Sequence, residues 1–356
     1  MKVSFYHLGN SWIAFKGMMQ KLGLEVVVPP KITKKTLEFG VKHSPESACE
    51  PFKYILGEYH DALEAGADII FHMDSNAEEA CRIPQYMTGP KTILGKLGYK
   101  FDTLAWGGKG QKELLKDYNK FSPDLTMFRF KLVQLLGVLK LHYIEWLEDY
   151  ANQLRPYAIN KEECNELLER GLDLIDKANS IPSMIKAKRK IKKIGKKIKT
   201  DRSKKVIPVM VVGDLFRILE HEANQHIFEK LGNADILPYK SFYLSHYYRK
   251  GGSIGPWGKK SFKYRRKFAK GYIDKPMAFG TIEAVGDTVR MLKQKKVKGI
   301  IHMYNFTCMP EIVNSVIFKK IAKDFNVPLL SLASGEHETV AHQDTRIEAF
   351  VDLLKK

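Results

Sequence analysis

The chain has 356 residues, of which 44% are hydrophobic and four are cysteines. This size and composition predict a globular protein with two domains and a substantial buried core. The first residues show no signal-peptide pattern, and no apolar run approaches the roughly 20 residues that span a bilayer. We therefore expect no transmembrane segment and a reducing, cytoplasmic setting.

The net charge of +19 is unevenly distributed. Residues 186–205 contain twelve Lys or Arg and one Asp, and Ile191, Ile194 and Ile198 recur there at helical spacing. This pattern predicts an amphipathic helix with a cationic outer face. Its role is open between a solvated connecting helix, a docking surface for an acidic redox partner, and a site for nucleic acid or an anionic membrane. Nucleic acid is the least expected partner, because the chain contains neither zinc-finger spacing nor an aromatic-interleaved RNA motif.

Strands and helices alternate in the first part of the chain. The predicted strands are KVSFYHL, EVVVPP, ADIIFHM and YKFDTLAW, and helices are predicted over 12–22, 51–64 and 88–96. Such alternation predicts a parallel, doubly wound sheet. From about residue 111 to residue 199 the pattern becomes helical, which indicates a bridge between two sheets.

Alternation resumes in the last part of the chain with the predicted strands KVIPVMVVGD, VKGIIHMY and VPLLSLA. Helices are predicted near 222–231, over 281–294 and 310–323, and at the C terminus. We therefore predict an α/β fold with two Rossmann-like doubly wound lobes, residues 1–110 and 205–356, joined by a helical bridge with its basic segment over 111–204.

The segment 247–271 is rich in Gly, Lys, Arg and aromatic residues and shows no clean period. It is predicted to be a loop-rich cover. Two interpretations remain open for it: a mobile solvated surface, or a basic lid over an anionic ligand such as a nucleotide or a coenzyme A phosphate.

Three of the four cysteines occupy the same kind of position. Cys49, Cys81 and Cys308 each lie in a loop that leads toward a predicted helix, where unpaired N–H groups and a partial positive charge favour a thiolate. Because the carboxyl ends of parallel strands meet at one edge, we expect a metal centre with one open coordination position in the cleft between the lobes. Ordinary buried or redox-silent thiols are the alternative, since no CxxC pair is present. Cys164 falls on the apolar face of a predicted helix and is predicted to lie in the core.

Four longer segments carry a family resemblance, namely KHSPESACEPFKYILGEYHDALEAGAD, VVGDLFRILEHEANQHIFEKLG, KGIIHMYNFTCMPEIV and SGEHETVAHQDTRIEAFVDLL. In this order they resemble the 2-hydroxyacyl-CoA dehydratase and benzoyl-CoA reductase superfamily, most of all its acyl-CoA dehydratase activase-related branch. The resemblance spans nearly the whole chain and is weakest in the basic helical segment. The phrases FTCMPE and TRIEAF are its most specific parts.

The resemblance implies two Rossmann-like lobes that cradle an iron–sulfur cluster, with Cys49, Cys81 and Cys308 at the matching ligand positions. It also implies low-potential electron transfer, with the electron delivered by a separate ATP-hydrolysing activator whose ATPase domain this chain does not resemble. The chain departs from the branch at its CGPCR segment, where it reads EEACR over 78–82. The chain therefore cannot supply the six ligands of a double-cubane cluster. A single 4Fe-4S cluster is expected instead, with its fourth iron open to water, substrate or Glu78.

An open iron suits substrate chemistry, because a Lewis acid can hold a carbonyl or hydroxyl oxygen while the cluster exchanges an electron. Zinc is the main inorganic alternative, since three thiolates with a His or Glu also suit it. Glu336 and His337 follow the predicted strand VPLLSLA and are the candidate catalytic residues, with His337 suited to proton transfer. Alternatively they fix the loop or cap the next helix. Glu50 and Arg82, beside two of the thiols, either shape the electrostatics of the site or form surface ion pairs.

The sequence therefore favours an iron–sulfur protein that transfers low-potential electrons to a small substrate, for which the resemblance suggests an acyl-CoA. The sequence leaves open whether the chain is itself an enzyme. If it is, an iron–sulfur reductase or a reductive dehydratase component is expected. The alternative is a noncatalytic cluster carrier or scaffold that docks an activator or a paralogous subunit through its basic surface. The expected partners are an ATP-dependent activator, an acyl-CoA or other small substrate, and a second subunit in a homo- or heterodimer.

Overall fold

Two four-stranded sheets, each with all its strands parallel, organise the chain. The structure is a computed structural model that describes residues 1–74, 82–83, 86–245, 262–275, 277, 280–335 and 340–356. The chain divides into two compact units, Met1–Leu139 and Lys140–Lys356, and the boundary falls inside a long helix, Met127–Leu154. Each unit contains one of the two sheets.

The first unit alternates strands with helices as far as the start of the long helix. Its strands are β1 (Lys2–Ser4), β2 (Glu25–Val26), β3 (Ile69–Met73) and β4 (Asp102–Trp106). Its helices are α1 (Trp12–Lys21), α2 (Lys34–His43), α3 (Glu50–Glu64), α4 (Thr88–Lys96), α5 (Gln111–Asn119) and the beginning of α6 (Met127–Leu154).

The second unit starts with helices and then returns to alternation. Its strands are β5 (Ile207–Gly213), β6 (Ile236–Lys240), β7 (Ile300–Asn305) and β8 (Leu329–Ser334). Its helices after α6 are α7 (Glu162–Asp176), α8 (Ile181–Gly195), α9 (Leu215–Leu219), α10 (His221–Asn224), α11 (Ile227–Asn233), α12 (Phe262–Ala269), α13 (Thr281–Lys293), α14 (Met309–Phe325) and α15 (Val340–Lys355).

The two sheets have the same topology. The strand order is β2-β1-β3-β4 in the first unit and β6-β5-β7-β8 in the second. In each sheet the chain reverses its direction of winding after the second strand, so a switch point lies between the two central strands. Ligands of doubly wound sheets bind at the carboxyl ends of the strands beside such a point. Functional side chains are therefore expected at the carboxyl ends of β1 and β3 in the first sheet, and of β5 and β7 in the second.

Apolar packing holds each sheet against its helices. In the first unit Phe5, Phe15 and Phe71 pack edge-on or tilted, with ring centroids 5.4–6.5 Å apart. In the second unit Phe318 of α14 and Val285 of α13 join one buried cluster with side chains from β5 and β7. Such burial is the main stabilising contribution to a domain of this size.

The predicted fold class is confirmed at the level of two parallel α/β units. The helix predicted over 88–96 is α4 itself, and those predicted over 12–22, 51–64, 281–294 and 310–323 end within about two residues of the observed ones. The single helix predicted near 222–231 is wrong, because Gln225 and His226 have positive φ angles and separate α10 from α11. Three elements were missed, β6, α2 and α9. The cover predicted over 247–271 is wrong in its last part, where Phe262–Ala269 forms α12; residues 247–261 lie outside the described part of the chain. The three-part division at residues 110 and 204 stays a prediction.

The basic segment forms α8, as its pattern predicts. Ile191 is fully buried and Ile194 is half-buried, while the lysines between them are exposed. The helix ends at Gly195, so Ile198 packs from the following turn rather than from the helix. Within the residues that the structure describes, no helix is long and apolar enough to cross a membrane.

Candidate functional site

Cys49 lies immediately before the first residue of α3. It has an extended backbone and is half-buried, and its Sγ atom is 2.6 Å from the Tyr86 hydroxyl, which it meets in a hydrogen bond. Pro51 occupies the first turn, where its missing N–H costs nothing. Because α3 leads by a short turn into β3 and runs antiparallel to it, the start of α3 lies at the carboxyl edge of the first sheet.

Close packing against α2 holds α3 in this position. A Cβ atom added to Gly40 would lie 1.8 Å from the carbonyl oxygen of Lys53, and one added to Gly57 would lie 2.0 Å from that of Thr36. Only glycine allows the two backbones to approach so closely. The Tyr86 ring in turn rests edge-on against Phe52, with 5.0 Å between centroids. Cys49 is therefore placed by a rigid pair of helices.

Cys308 has the corresponding place in the second unit, three residues after β7 and immediately before α14. Its backbone is extended, its side chain is half-buried and Pro310 occupies the first turn of the helix. The loop is fixed by Asn305, whose side-chain oxygen accepts hydrogen bonds from the backbone N–H (2.8 Å) and the hydroxyl of Thr307. The Cys308 N–H donates to the Asn305 carbonyl at 2.9 Å.

Asp214 joins the Cys308 loop to the end of β5. Its carboxylate accepts from the Asn305 N–H at 3.0 Å and from the Arg217 N–H at 2.9 Å. Burial raises the pKa of Asp214 to about 6, although these two N–H groups and the Arg217 charge oppose the rise. The carboxylate therefore bridges the two central strands at the switch point of the second sheet.

Gly213 makes this bridge possible. Its φ of +152° lies in a range that other residues rarely adopt, and a Cβ atom there would lie 1.7 Å from the Met303 carbonyl oxygen. The backbone of β5 thus approaches β7 more closely than a side chain would allow. Asp214, the next residue, therefore lies at the carboxyl end of β5, where its carboxylate reaches the Asn305 N–H of β7.

A buried histidine–carboxylate pair lies under the first turn of α14. His302 of β7 is fully buried, and its Nε2 is 2.8 Å from an oxygen of Glu311. The other oxygen of Glu311 accepts from the Asn314 side-chain amide at 3.2 Å. An acid in the first turn also interacts favourably with the helix dipole. The pair anchors the N-terminal end of α14, where Cys308 lies.

The structure bears on the predicted site residues to different degrees. Cys49 and Cys308 are each at the start of a helix, as predicted, and Cys164 is fully buried in α7, which confirms its place in the core. Cys81, Glu78, Glu336 and His337 lie outside the described residues.

Among the described residues, no three His, Cys, Asp or Glu side chains are grouped so as to hold a metal ion. The ligand set and its place between the lobes therefore stay predictions. Of the two charged neighbours, Glu50 is buried in the first turn of α3, which excludes a surface ion pair, and Arg82 is exposed.

Sequence reasoning missed Tyr86, Asp214 and Glu311. Two of them had a readable signal: Asp214 follows a buried strand through a glycine, and Glu311 is the third residue after a cysteine that begins a helix. Tyr86 had none, because its contact with Cys49 joins residues 37 positions apart.

The outer face of α14 beside Cys308 is apolar and exposed. Met309, Ile312, Val313 and Val316 follow one another at helical spacing, and Phe306 precedes them in the loop. These five side chains are between 42% and 66% exposed. A contiguous exposed apolar stripe on a folded domain typically marks a contact surface.

Together these features define a parallel α/β protein with a half-buried thiol at the carboxyl edge of each of its two sheets. The chain belongs to the 2-hydroxyglutaryl-CoA dehydratase, D-component family, whose model matches residues 115–354. Residues 5–89 match a second model, described as CoA enzyme activase uncharacterised domain. The resemblance inferred from the sequence motifs is thus confirmed, including its activase-related branch. No curated protein matches the chain.

Proposed function

We propose that the chain is an iron–sulfur component of the 2-hydroxyacyl-CoA dehydratase type, which transfers low-potential electrons to a small substrate. In this proposal Cys49, Cys81 and Cys308 hold one 4Fe-4S cluster. Membership of the family supports the general type. The cluster, its ligands and the electron transfer are the steps that go beyond it.

One observation carries the proposal: Cys49 and Cys308 have equivalent local structures in two different units. Each is half-buried, has an extended backbone, begins a helix of 15 or 17 residues and is followed two residues later by proline. Cys164, buried inside α7, is the contrasting case.

The described residues fit a cluster held by thiolates. A helix start lowers the cost of a negative sulfur, and partial exposure leaves it accessible to a ligand. Tyr86 adds a hydroxyl that can donate to the sulfur of Cys49. When bound, a cluster with one open iron supplies a one-electron centre and a Lewis acid for an oxygen atom of the substrate.

The chain itself would position the ligands and handle protons. Asp214 and Asn305 hold the Cys308 loop, and the His302–Glu311 pair fixes the helix behind it. Glu336 and His337 come two and three residues after the end of β8 in the sequence. We assign proton transfer to His337 and orientation of the substrate or the loop to Glu336, because the carboxyl end of β8 belongs to the edge at which β7 delivers Cys308.

The electron would come from a partner protein. The activase-related match over residues 5–89 supports an ATP-dependent activator, and the family supports an acyl-CoA as the substrate class. A cytoplasmic setting fits this chemistry, because the thiols must stay reduced. A homo- or heterodimer with a related subunit belongs to the same proposal.

A second candidate is a cluster carrier or scaffold without catalysis of its own. The exposed apolar stripe on α14 favours it, since the stripe directly adjoins Cys308. Binding of acyl-CoA to the purified chain would favour the enzyme. A stable complex with an activator or a paralogous subunit that is unaffected by acyl-CoA would favour the scaffold.

The ligand assignment is tested by iron content after anaerobic purification and reconstitution. Cys49→Ser, Cys81→Ser and Cys308→Ser should each lose most of the bound iron. Cys164→Ser is the matched control and should retain it, because its side chain lies in the core of α7. Equal iron in all four variants would refute the assignment, and zinc in place of iron in the wild type would replace the redox proposal by a structural metal site.

A further inference from the structure

A pocket in the second unit lies apart from the Cys308 loop, between the C-terminal part of α6 and the α10–α11 segment. Its empty volume is about 520 Å³, including the solvent at its mouth. Its lining includes polar and charged side chains, namely those of Glu148, Arg155, His221, Asn224, Glu229 and Lys240.

Asn224 is one of the residues that line this pocket, and its side-chain amide has hydrogen-bond donors without acceptors. Its side chain is fully buried, and its Oδ1 accepts from the Ile227 N–H at 3.3 Å. Because the NH2 group of an amide cannot accept a hydrogen bond, the Ile227 N–H must meet the amide oxygen, and this bond fixes the orientation of the amide. The Nδ2 atom then has no hydrogen-bond partner among the described residues. A buried amide nitrogen left in this way is costly and calls for an acceptor.

Arg155 supplies a second such donor. The residue is 3% exposed, and its terminal nitrogens bond to the Lys161 carbonyl oxygen and the side chain of Asn165. Gly232 packs so closely against the arginine stem that a Cβ atom there would lie 2.6 Å from Cδ. The guanidinium is therefore held in place, and within the described chain its Nε atom lacks an acceptor.

The carboxylates that line the pocket are paired with cations, so the pocket does not repel an anion. Lys240 forms an ion pair of 2.8 Å with Glu148, and Arg155 lies 3.7 Å from Glu229. Each carboxylate on the wall is thus matched by a cation. The hydrogen bond with Glu222 raises the pKa of His226, whereas burial lowers the pKa of His221. The wall as a whole carries no excess negative charge that would repel a carboxylate.

We propose that this pocket is a binding site for the carboxylate group of a small organic acid. Both unmatched groups are donors, so the missing group is an acceptor, and a carboxylate offers two oxygens for the amide of Asn224 and the guanidinium of Arg155. Hydrogen bonds of this kind are stronger than those to a neutral carbonyl because they are charge-assisted. The site is independent of any metal that the cysteines hold.

Propionate and propionamide are suitable probes, because they share one shape and differ in charge. Binding to the purified full-length chain is measured by saturation-transfer difference NMR on the methyl protons. We expect propionate to bind at least about tenfold more tightly than propionamide. Failure of propionate to bind, or equal binding of the two probes, would overturn the proposal and leave water as the acceptor in the pocket.

Substitutions at Asn224 test the donor directly. Asn224→Asp keeps the acceptor for the Ile227 N–H but replaces the donors by a negative charge, and it should weaken propionate binding at least about tenfold. Asn326→Asp makes the same change at an exposed turn and should leave binding unchanged. Asn224→Ala removes the donors without adding charge, which provides a test if the aspartate variant does not fold.

Two further outcomes are decisive. Unchanged affinity in a folded Asn224→Ala variant would overturn the proposal. Cys308→Ser should bind propionate normally, so the carboxylate site and the cluster proposal succeed or fail separately.

Discussion

Asp149 of α6 offers a quantitative test of the buried charges in the second unit. Its side chain is buried and accepts a hydrogen bond from the Tyr243 hydroxyl at 2.7 Å. Burial raises its pKa to about 7, against the lowering effects of the Lys240 charge and the Tyr243 hydrogen bond. The folded chain therefore keeps a proton on Asp149 at a pH where the unfolded chain has lost it.

The sign and size of the effect follow from proton linkage. Between the unfolded pKa near 4 and the folded pKa near 7, the folded state binds the extra proton, so the free energy of unfolding falls as pH rises. The slope is at most about 1.4 kcal/mol per pH unit and falls off near the folded pKa, which gives a loss of about 2 kcal/mol between pH 5 and pH 7, about 3 kcal/mol by pH 8, and no further loss from this group above that.

Asp149→Asn removes this titration while its amide oxygen can still accept from Tyr243. Its free energy of unfolding should fall by about 3 kcal/mol less than that of the wild type between pH 5 and pH 8. Urea denaturation followed by circular dichroism at both pH values measures the difference. Asp352→Asn, on an exposed position of α15, should change stability by less than about 0.5 kcal/mol. Parallel curves for wild type and Asp149→Asn would show that the reasoning is wrong.

Two further predictions concern the support of the Cys308 loop. Gly213→Ala should destabilise the protein by more than about 3 kcal/mol in urea denaturation, because its Cβ atom would lie 1.7 Å from a carbonyl oxygen. Gly95→Ala, in a helix with no heavy atom within 4 Å of the new Cβ, should instead stabilise it by up to about 1 kcal/mol, and equal effects of the two changes would contradict the packing argument. Asp214→Ala should cost about 2–3 kcal/mol by leaving the Asn305 and Arg217 N–H groups without their acceptor, and it should also reduce the iron bound per chain. Unchanged iron content with the expected loss of stability would separate the fold of the loop from metal binding.

The elements that sequence reasoning identified are those with strong apolar periodicity. Strand β3 reads IIFHM and is buried throughout, so its pattern is unambiguous. Strand β6 reads ILPYK and was missed, since Pro238 and the terminal lysine argue against a strand. It is an edge strand, paired with β5 alone, which is where a proline is tolerated.

Two features of the helices cannot be read from the sequence: close backbone contacts and buried charges. The helix α2 has few apolar residues, and its packing depends on Gly40 and Gly57, whose close contacts leave no periodic signal.

On α6, Glu148 and Asp149 look like part of a solvated face. Both are buried because Lys240, 92 residues from Glu148, ends β6 beside them. Such long-range pairing of charges depends on tertiary structure.

The candidate site also has local features that the sequence predicts and long-range contacts that it does not. A cysteine in a loop before a helix is a local feature, and for Cys49 and Cys308 the prediction of a helix start is confirmed. The Tyr86 contact, the Asp214 bridge and the His302–Glu311 pair each join different elements and therefore had to be found in the structure.

The central claim is that the thiols hold a redox-active cluster. Iron and acid-labile sulfide in the anaerobically purified wild type, together with the electron paramagnetic resonance spectrum of its reduced form, test it most directly. We predict about four iron and four sulfide per chain and the signal of a reduced 4Fe-4S cluster. Zinc alone, or no metal after anaerobic reconstitution, would contradict the account and assign the chain a structural or docking role.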